Sequence, residues 1–472
     1  MPSNLRHLAW GAALLAGAFT ALPVAAQTSA EDKREARVLL EELISHRTAA
    51  GAGQVPVMVN GIVARLRQAG FAEDDIALVP VEKDGDKTVG LVVRLAGTDP
   101  EKKPIAILGH MDVVDALPAN WQTDPYVPVE RDGYIYGRGS VDNKAGISAV
   151  LATFMRLKRE GYKPERTYLI AFSGDEETGM ETTRALTTHP WVSQAAVALN
   201  TDAGSGSVAD GKYNFSIQSA EKTFATFMLS ATNSGGHSSA PRPDNAIYEL
   251  AKALDRLSDL QFAVEFNEIT RPMVAQLARD QGGELGRALE TVLDDPGNAA
   301  ARQVLDRYPE YTNILWTTCI PTMLSAGNAP NALPQNAVAT INCRIFPGTS
   351  TQEVSRKISE TIADPAIAIT LDEEPVESPA SPINEPLFAA ITKAVHANYP
   401  GAEVMPSMSS GGTDGREFRR AGIPTYGAGS LALKRPDDNR AHGIDERVPI
   451  EAFYKELNFW DVLLRELDTV NL

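Results

Sequence analysis

Of the seven histidines in this 472-residue chain, two stand in runs whose neighbours suit metal binding. His110 closes the apolar run Ile105-Ala106-Ile107-Leu108-Gly109, with Asp112 two residues on. Asp142 lies in the glycine-rich stretch Gly137-Arg138-Gly139-Ser140-Val141-Asp142-Asn143-Lys144, and Glu176 and Glu177 follow Ser173-Gly174-Asp175. Asp202 comes just after Val197-Ala198-Leu199-Asn200-Thr201, and His442 sits some thirty residues from the C-terminus. Two divalent cations held roughly 3.5–4 Å apart need a carboxylate that bridges them and further His or carboxylate ligands on each side. Asp142 suits the bridge, because its glycine loop lets the backbone approach closely. His110 with Asp202 would complete one site, and Glu177 with His442 the other. Asp112 is placed to accept the second imidazole N–H of His110 and fix its tautomer. Glu176, beside a ligand but not needed as one, has the position of a general base for the attacking water. Singly, each of these residues reads as ordinary structure: a hydrogen-bonded strand-end histidine, a solvated acidic loop, a turn cap. Their recurrence at successive strand ends and loops is what points to a metal pair.

The elements that must position them follow the same pattern. Apolar runs at 105–108, 167–172 and 197–199 read as buried strands, and a helical pattern covers 145–160. Strands of an open α/β sheet deliver ligands at their carboxyl ends. The fold class expected is therefore α/β, a mixed central sheet with helices on both faces. Ahead of it, Ser29-Ala30-Glu31-Asp32 opens a helix, a second helix covers 57–68, and strands cover 76–82 and 88–95 as scaffold. From Lys222 the pattern alternates (Phe224, Thr226, Met228, Ser230), followed by a glycine turn at 235–239 and a helix at 246–257. Strands near Trp316 and Val338, a helix capped by Ser350 with Glu353 and a strand at 366–371 complete an inserted α+β domain over 221–375. Its polar, helical part at 260–315 reads as a cover without assigned chemistry. The first pattern then returns with a helix at 387–399, the turn Ser409-Ser410-Gly411-Gly412-Thr413-Asp414-Gly415-Arg416, a strand at 425–428 and a helix at 450–467. The expected division is a signal peptide (1–26), a catalytic domain in two parts (27–220 and 376–472) and the insertion (221–375).

Composition narrows the partners. A hydrophobic content of 43% supports real cores, and a net charge of −17 argues against nucleic acid and against an anionic membrane surface. Arg6, the apolar stretch 8–22 and Val24-Ala25-Ala26 before Gln27 have the form of a cleaved export signal, shorter than a spanning helix requires. The mature chain is then expected free of the membrane, in a bacterial periplasm. Cys319 and Cys343 both fall in strand-like runs; a cross-strand disulfide is one reading, and two buried free thiols are the reading favoured here.

Gly109-His110-Met111-Asp112, Tyr136-Gly137-Arg138-Gly139 with Asp142 and Lys144, Ser173-Gly174-Asp175-Glu176-Glu177, Asn200-Thr201-Asp202, Gly236-His237-Ser238, Asn331-Ala332-Leu333-Pro334, Ser410-Gly411-Gly412-Thr413-Asp414 and Ala441-His442-Gly443 resemble, in this order, the motifs of the dinuclear zinc exopeptidases and deacylases. That family includes carboxypeptidase S, glutamate carboxypeptidase, aminoacylase and carnosinase. The run from Thr317 to Gly348 is most similar to the carboxypeptidase S and secreted N-acyl amino acid hydrolase branch. The resemblance implies two Zn2+ per chain, with Co2+ or Mn2+ as substitutes, held by His110, Asp142, Glu177, Asp202 and His442 with Asp142 bridging. It implies that Asp112 and Glu176 act as above and that His237 polarises the scissile carbonyl, in many members from a neighbouring subunit. Arg344 would bind the substrate carboxylate, with Asn331 and the backbone N–H groups of Gly411, Gly412 and Thr413 as further contacts. The inserted segment would be a lid or dimerisation domain, which leaves a homodimer open.

The reaction expected is hydrolysis of an amide next to a free carboxylate, by a carboxypeptidase or dipeptidase acting on small peptides. An N-acyl amino acid deacylase is the alternative within the same chemistry. A noncatalytic binding protein that kept the fold is the alternative of another class.

Overall fold

The computed structural model describes residues 28–83, 85–209, 211–372 and 375–472; the expected signal segment lies outside them. The chain is a mixed α/β protein with several sheets. The largest sheet has six strands in the order Ile76–Lys83, Asp86–Leu95, Tyr168–Ser173, Ile105–His110, Val197–Asn200 and Thr425–Gly427. Its first two strands run antiparallel, and the other four are mutually parallel. The central strands are buried on both faces, which accounts for their unbroken apolar runs. Along Ile105–His110, Ile105 and Ile107 pack into one apolar cluster with Ile147, Val150, Leu151 and Phe154 of the helix Lys144–Arg159. Ala106 and Leu108 face the opposite cluster, with Leu169, Ala198 and Phe418.

Register matters for function. His110 lies opposite Ser173, and Leu108 opposite Asn200. The loops carrying Asp112, Glu176–Glu177 and Asp202 therefore leave the sheet along one edge.

A second sheet is antiparallel, in the order Thr318–Ala326, Asn336–Ile345, Thr223–Thr232 and Ala368–Leu371. Ala225, Phe227, Leu229 and Ala231 alternate inward from its third strand and pack with Leu250 and Ile358 of the helices Ala246–Leu257 and Thr351–Ile362. The stretch 260–315 forms the helices Thr270–Gln281, Gly283–Asp294, Ala299–Leu305 and Pro309–Thr312, whose Val274, Leu289 and Leu305 join that same core. The strand Thr318–Ala326 stays at the edge, with Ile320, Met323 and Leu324 exposed.

A further four-stranded sheet, Glu403–Ser409, Lys212–Glu221, Gly206–Ala209 and Ala432–Lys434, is not anticipated by the sequence reading. Pro406 and the shortness of two strands mask it. Pro406 is tolerated because its strand is at the sheet's edge. The helix opened by Ser29 has a complete capping box with Asp32. No described helix is long and apolar enough to cross a membrane.

One expectation is corrected. Cys319 and Cys343 form a disulfide rather than two free thiols. The antiparallel register sets them directly opposite each other with Cα atoms 4.1 Å apart, a juxtaposition that depends on strand pairing and is invisible in composition. The bridge spans a sequence separation of 24, so its loss should cost about 3 kcal/mol. Thermal unfolding of Cys319→Ser/Cys343→Ser beside the oxidised parent measures this, and unchanged melting would contradict it.

Candidate metal centre

The five donors singled out from the sequence meet at the carboxyl edge of the main sheet, divided about Asp142. His110 Nε2 lies 2.8 Å from Asp142 Oδ1 and 3.6 Å from Asp202 Oδ1. His442 Nε2 lies 3.1 Å from Asp142 Oδ2 and 2.8 Å from Glu177 Oε1. Each oxygen of one carboxylate thus faces a different histidine, the arrangement a bridging ligand requires. His110, Asp142 and Glu177 offer ligand atoms within 4.8 Å of one another.

Electrostatics support cation binding. Burial pushes the Asp202 carboxyl up to about 6, with Asp142 adding to the shift, and burial likewise raises Glu176 well above its usual range. Burial opposes the charged form of His110, yet Asp112, Asp142 and Asp202 outweigh it and raise its pKa. Hydrogen bonds to Asp142 and Glu177 raise His442 to about 10. Carboxylates crowded against two imidazoles form a donor set that divalent cations would neutralise, so the residues fit a metal pair.

Asp112 meets the His110 imidazole more closely through its backbone carbonyl than through its carboxylate. The imidazole Nδ1 of His110 lies 3.0 Å from the backbone carbonyl oxygen of Asp112 and 3.6 Å from its carboxylate. That carboxylate instead accepts the backbone N–H groups of Glu176 (3.1 Å) and Glu177 (3.0 Å). It ties the turn bearing the base candidate and a ligand to the strand bearing His110. Glu176 itself is partly buried beside the donors.

Glu446, four residues after His442, is the main residue the sequence reading missed. Fully buried, it accepts N–H bonds from Gly139 (3.1 Å), Val141 (2.8 Å) and Asp142 (3.1 Å), and pairs with Arg138 at 2.7 Å. Arg138 also donates to the His442 carbonyl at 3.2 Å. One buried ion pair therefore positions both Asp142 and the remote His442. His442 adopts the left-handed region (φ 61°), a conformation that costs a non-glycine residue energy and recurs at functional sites. Gly139 (φ 82°) is needed in the loop for its backbone and for space, since a Cβ there would lie 2.8 Å from Val113 Cγ1. Asn143 donates to Asp202 at 3.3 Å and accepts from Thr201 at 2.7 Å.

The expected substrate contacts divide into two groups. Arg344 reaches the glycine turn, donating to the Ser410 carbonyl at 3.3 Å with its guanidinium 4.7 Å from the Phe224 ring centroid. Arg416, also missed, lies on the same turn, its Nη1 3.4 Å from where a Gly412 Cβ would be. Neither arginine has a carboxylate partner among the described residues, and the Arg416 Nε is buried without an acceptor. The N–H groups of Gly411 and Thr413 are already engaged, by Ser409 Oγ at 3.0 Å and Glu221 Oε2 at 3.2 Å. Among the described residues only the Gly412 N–H of the three has no protein acceptor.

His237 and Asn331 lie together elsewhere. His237 belongs to the short strand Gly236–His237, paired with Ala332–Leu333, and Asn331 accepts from the Ser238 N–H at 3.0 Å. His237 Nδ1 accepts from the Ser239 N–H at 3.2 Å, which leaves Nε2 as the protonated nitrogen. Both residues are exposed, and their hydrogen bonds stay within this segment rather than reaching the donor cluster.

Comparison with known proteins places the chain in a family. N-fatty-acyl-amino acid synthase/hydrolase PM20D1 of Xenopus tropicalis is 29% identical over 397 residues, covering 80% of this chain and 75% of that one. Probable carboxypeptidase S-like 2 of Dictyostelium discoideum is 28% identical over 403 residues, covering 80% and 74%. In fold, the M20 family metallo-carboxypeptidase Sso-CP2 from Sulfolobus solfataricus superposes with a TM-score of 0.67 at 18% identity, over 92% of this chain and 100% of that one. The profile of peptidase family M20/M25/M40 matches residues 106–466; the chain belongs to that family and is a metal-dependent hydrolase.

Proposed function

We propose that this hydrolase cleaves an amide bond next to a free carboxylate, as a zinc carboxypeptidase or dipeptidase acting on small peptides. The observation that carries the reading is Asp142, with one oxygen toward His110 and the other toward His442. Mixed imidazole and carboxylate donors suit Zn2+, and Co2+ or Mn2+ are substitutes the same donors accept. When bound, the cations supply Lewis acidity to the scissile carbonyl and to the attacking water.

The chain's own residues do the rest. Asp112, through its two backbone bonds, aims Glu176 and Glu177 together. Glu176 takes the proton from water and returns it to the leaving amine. Arg344 and Arg416, two guanidiniums without protein counter-ions at one turn, hold the substrate carboxylate, with the Gly412 N–H as a third donor. His237 Nε2–H donates to the oxyanion, with Asn331 beside it. Its place on a separate segment fits delivery by lid movement or by a second copy. In this reading 221–375 is the lid or dimerisation domain, and the edge strand Thr318–Ala326 with exposed Ile320, Met323 and Leu324 is where a second copy joins. Export to the periplasm is supported by the N-terminal charge and apolar pattern, and by a disulfide suited to an oxidising compartment.

N-acyl amino acid deacylation is the second reading, favoured by relatives named for N-fatty-acyl-amino acids. A panel of dipeptides against N-acyl amino acids with the purified zinc form separates the two. Higher kcat/KM for dipeptides is expected, and preference for acyl amino acids would transfer the assignment. On the best substrate, Glu176→Gln should keep its metals and lose about 10²- to 10⁴-fold in kcat; near-normal turnover would refute the base assignment. Sedimentation velocity should find a dimer that Ile320→Lys/Leu324→Lys converts to monomer, whereas a monomeric parent would remove the second copy from the account.

A further inference from the structure

Glu221 takes no part in the chemistry above, yet it is a buried carboxylate at a junction. It ends the strand Lys212–Glu221, and Thr223 begins the strand Thr223–Thr232 of the second sheet, so one residue, Lys222, separates them. Glu221 Oε1 accepts from Thr413 Oγ1 at 2.6 Å and Gln218 Nε2 at 3.0 Å, and pairs with Arg419 Nη1 at 3.2 Å; Oε2 accepts the Thr413 N–H at 3.2 Å. Both members of the Glu221–Arg419 pair are 1% exposed. The crossing back from the second sheet meets the same group: Arg419 Nε donates to Ser381 Oγ at 3.1 Å, and the Ser381 N–H donates to the Ser219 carbonyl at 2.8 Å. Both crossings and the glycine turn thus share one buried ion pair.

The network continues toward the metal donors. Thr413 Oγ1 accepts from Asn200 Nδ2 at 3.0 Å, and Asn200 Oδ1 accepts the Asp202 N–H at 3.1 Å. From the other side, Arg344 Nη1 and Asn313 Nδ2 hold Ser410 at 3.3 and 3.4 Å. The turn is therefore gripped by the second sheet and its cover at Ser410, and by the crossing at Thr413.

We propose that Glu221 is a positioning residue that couples the orientation of the second sheet to the shape of the carboxylate-binding turn. The inference rests on the reading that this turn recognises the substrate carboxylate. Burying an ion pair is costly in itself, and in this proposal the cost is offset by holding one arrangement against alternatives. Here the arrangement held is the register of Thr413, and through it Gly412, against Arg344.

The test compares the best substrate of the panel with its C-terminal carboxamide. Thr413→Val removes the hydroxyl link while leaving the Glu221–Arg419 pair intact. Glu221→Gln/Arg419→Met removes the pair without stranding a buried charge. Both variants should keep the parent's metal content. For the free acid, KM should rise roughly ten- to a hundredfold with a much smaller change in kcat. For the carboxamide, which makes little use of the turn, the constants should barely move, so acid-over-amide preference collapses. Equal losses on acid and amide in both variants, or unchanged KM for the acid, would overturn the coupling. A parent enzyme that already fails to prefer the acid would instead refute carboxylate recognition, a separate outcome. Glu221→Asp, too short to reach both Thr413 and Arg419, should behave like the double variant, and full activity in it would count against the proposal.

Discussion

The structure is organised around unbalanced negative charge. Asp142, Asp202, Glu176 and Glu177 are gathered at one sheet edge with His110 and His442 among them. Carboxylates at such distances repel strongly once withdrawn from water, and folding them together is sustainable only with cations between them or protons upon them. Burial, with neighbouring carboxylates adding to it, raises the pKa values of Asp202 and Glu176, whereas the two imidazoles hold Asp142 low against its burial. The parallel register that sets His110 beside Ser173 and Leu108 beside Asn200 imposes the crowding, so the sheet and the candidate metal site are one design problem.

Rigidity around the donors comes from buried hydrogen bonds to backbone rather than from the donors themselves. Asp112 closes the Glu176–Glu177 turn, Glu446 closes the loop of Asp142, and Arg138 carries that hold to His442. Asp414 works through side chains instead, accepting from the hydroxyls of Ser173, at 2.6 Å, and Thr183, and so fastening the glycine turn to the strand that leads to Glu176. Supporting contacts of this kind keep metal ligands in orientation and tune their basicity.

The legible parts of this protein were those in which one residue type has one use. Unbroken apolar runs marked the buried parallel strands, Ser350 with Glu353 marked a helix start, and histidine and acidic residues near strand ends marked a cluster that the fold gathers. What escaped depended on partners distant in sequence. Glu446 looks like any acidic loop residue until its bonds to Gly139, Val141 and Asp142 are seen, more than 300 positions away. Arg416 looks like any surface arginine until its buried Nε and its lack of a carboxylate partner among the described residues are seen. The Cys319–Cys343 bridge needed the register of two strands. The sheet built on Lys212–Glu221 was hidden by short strands and by Pro406, although that sheet carries the crossing at Glu221.

Two cations sharing Asp142 is the claim on which site, mechanism and substrate reading all depend. Metal content by inductively coupled plasma mass spectrometry tests it most directly, on the parent, His442→Ala and Asp142→Ala after equal loading with zinc. The account predicts two ions per chain in the parent, one in His442→Ala and well under one in Asp142→Ala. Two ions retained without Asp142 would contradict it.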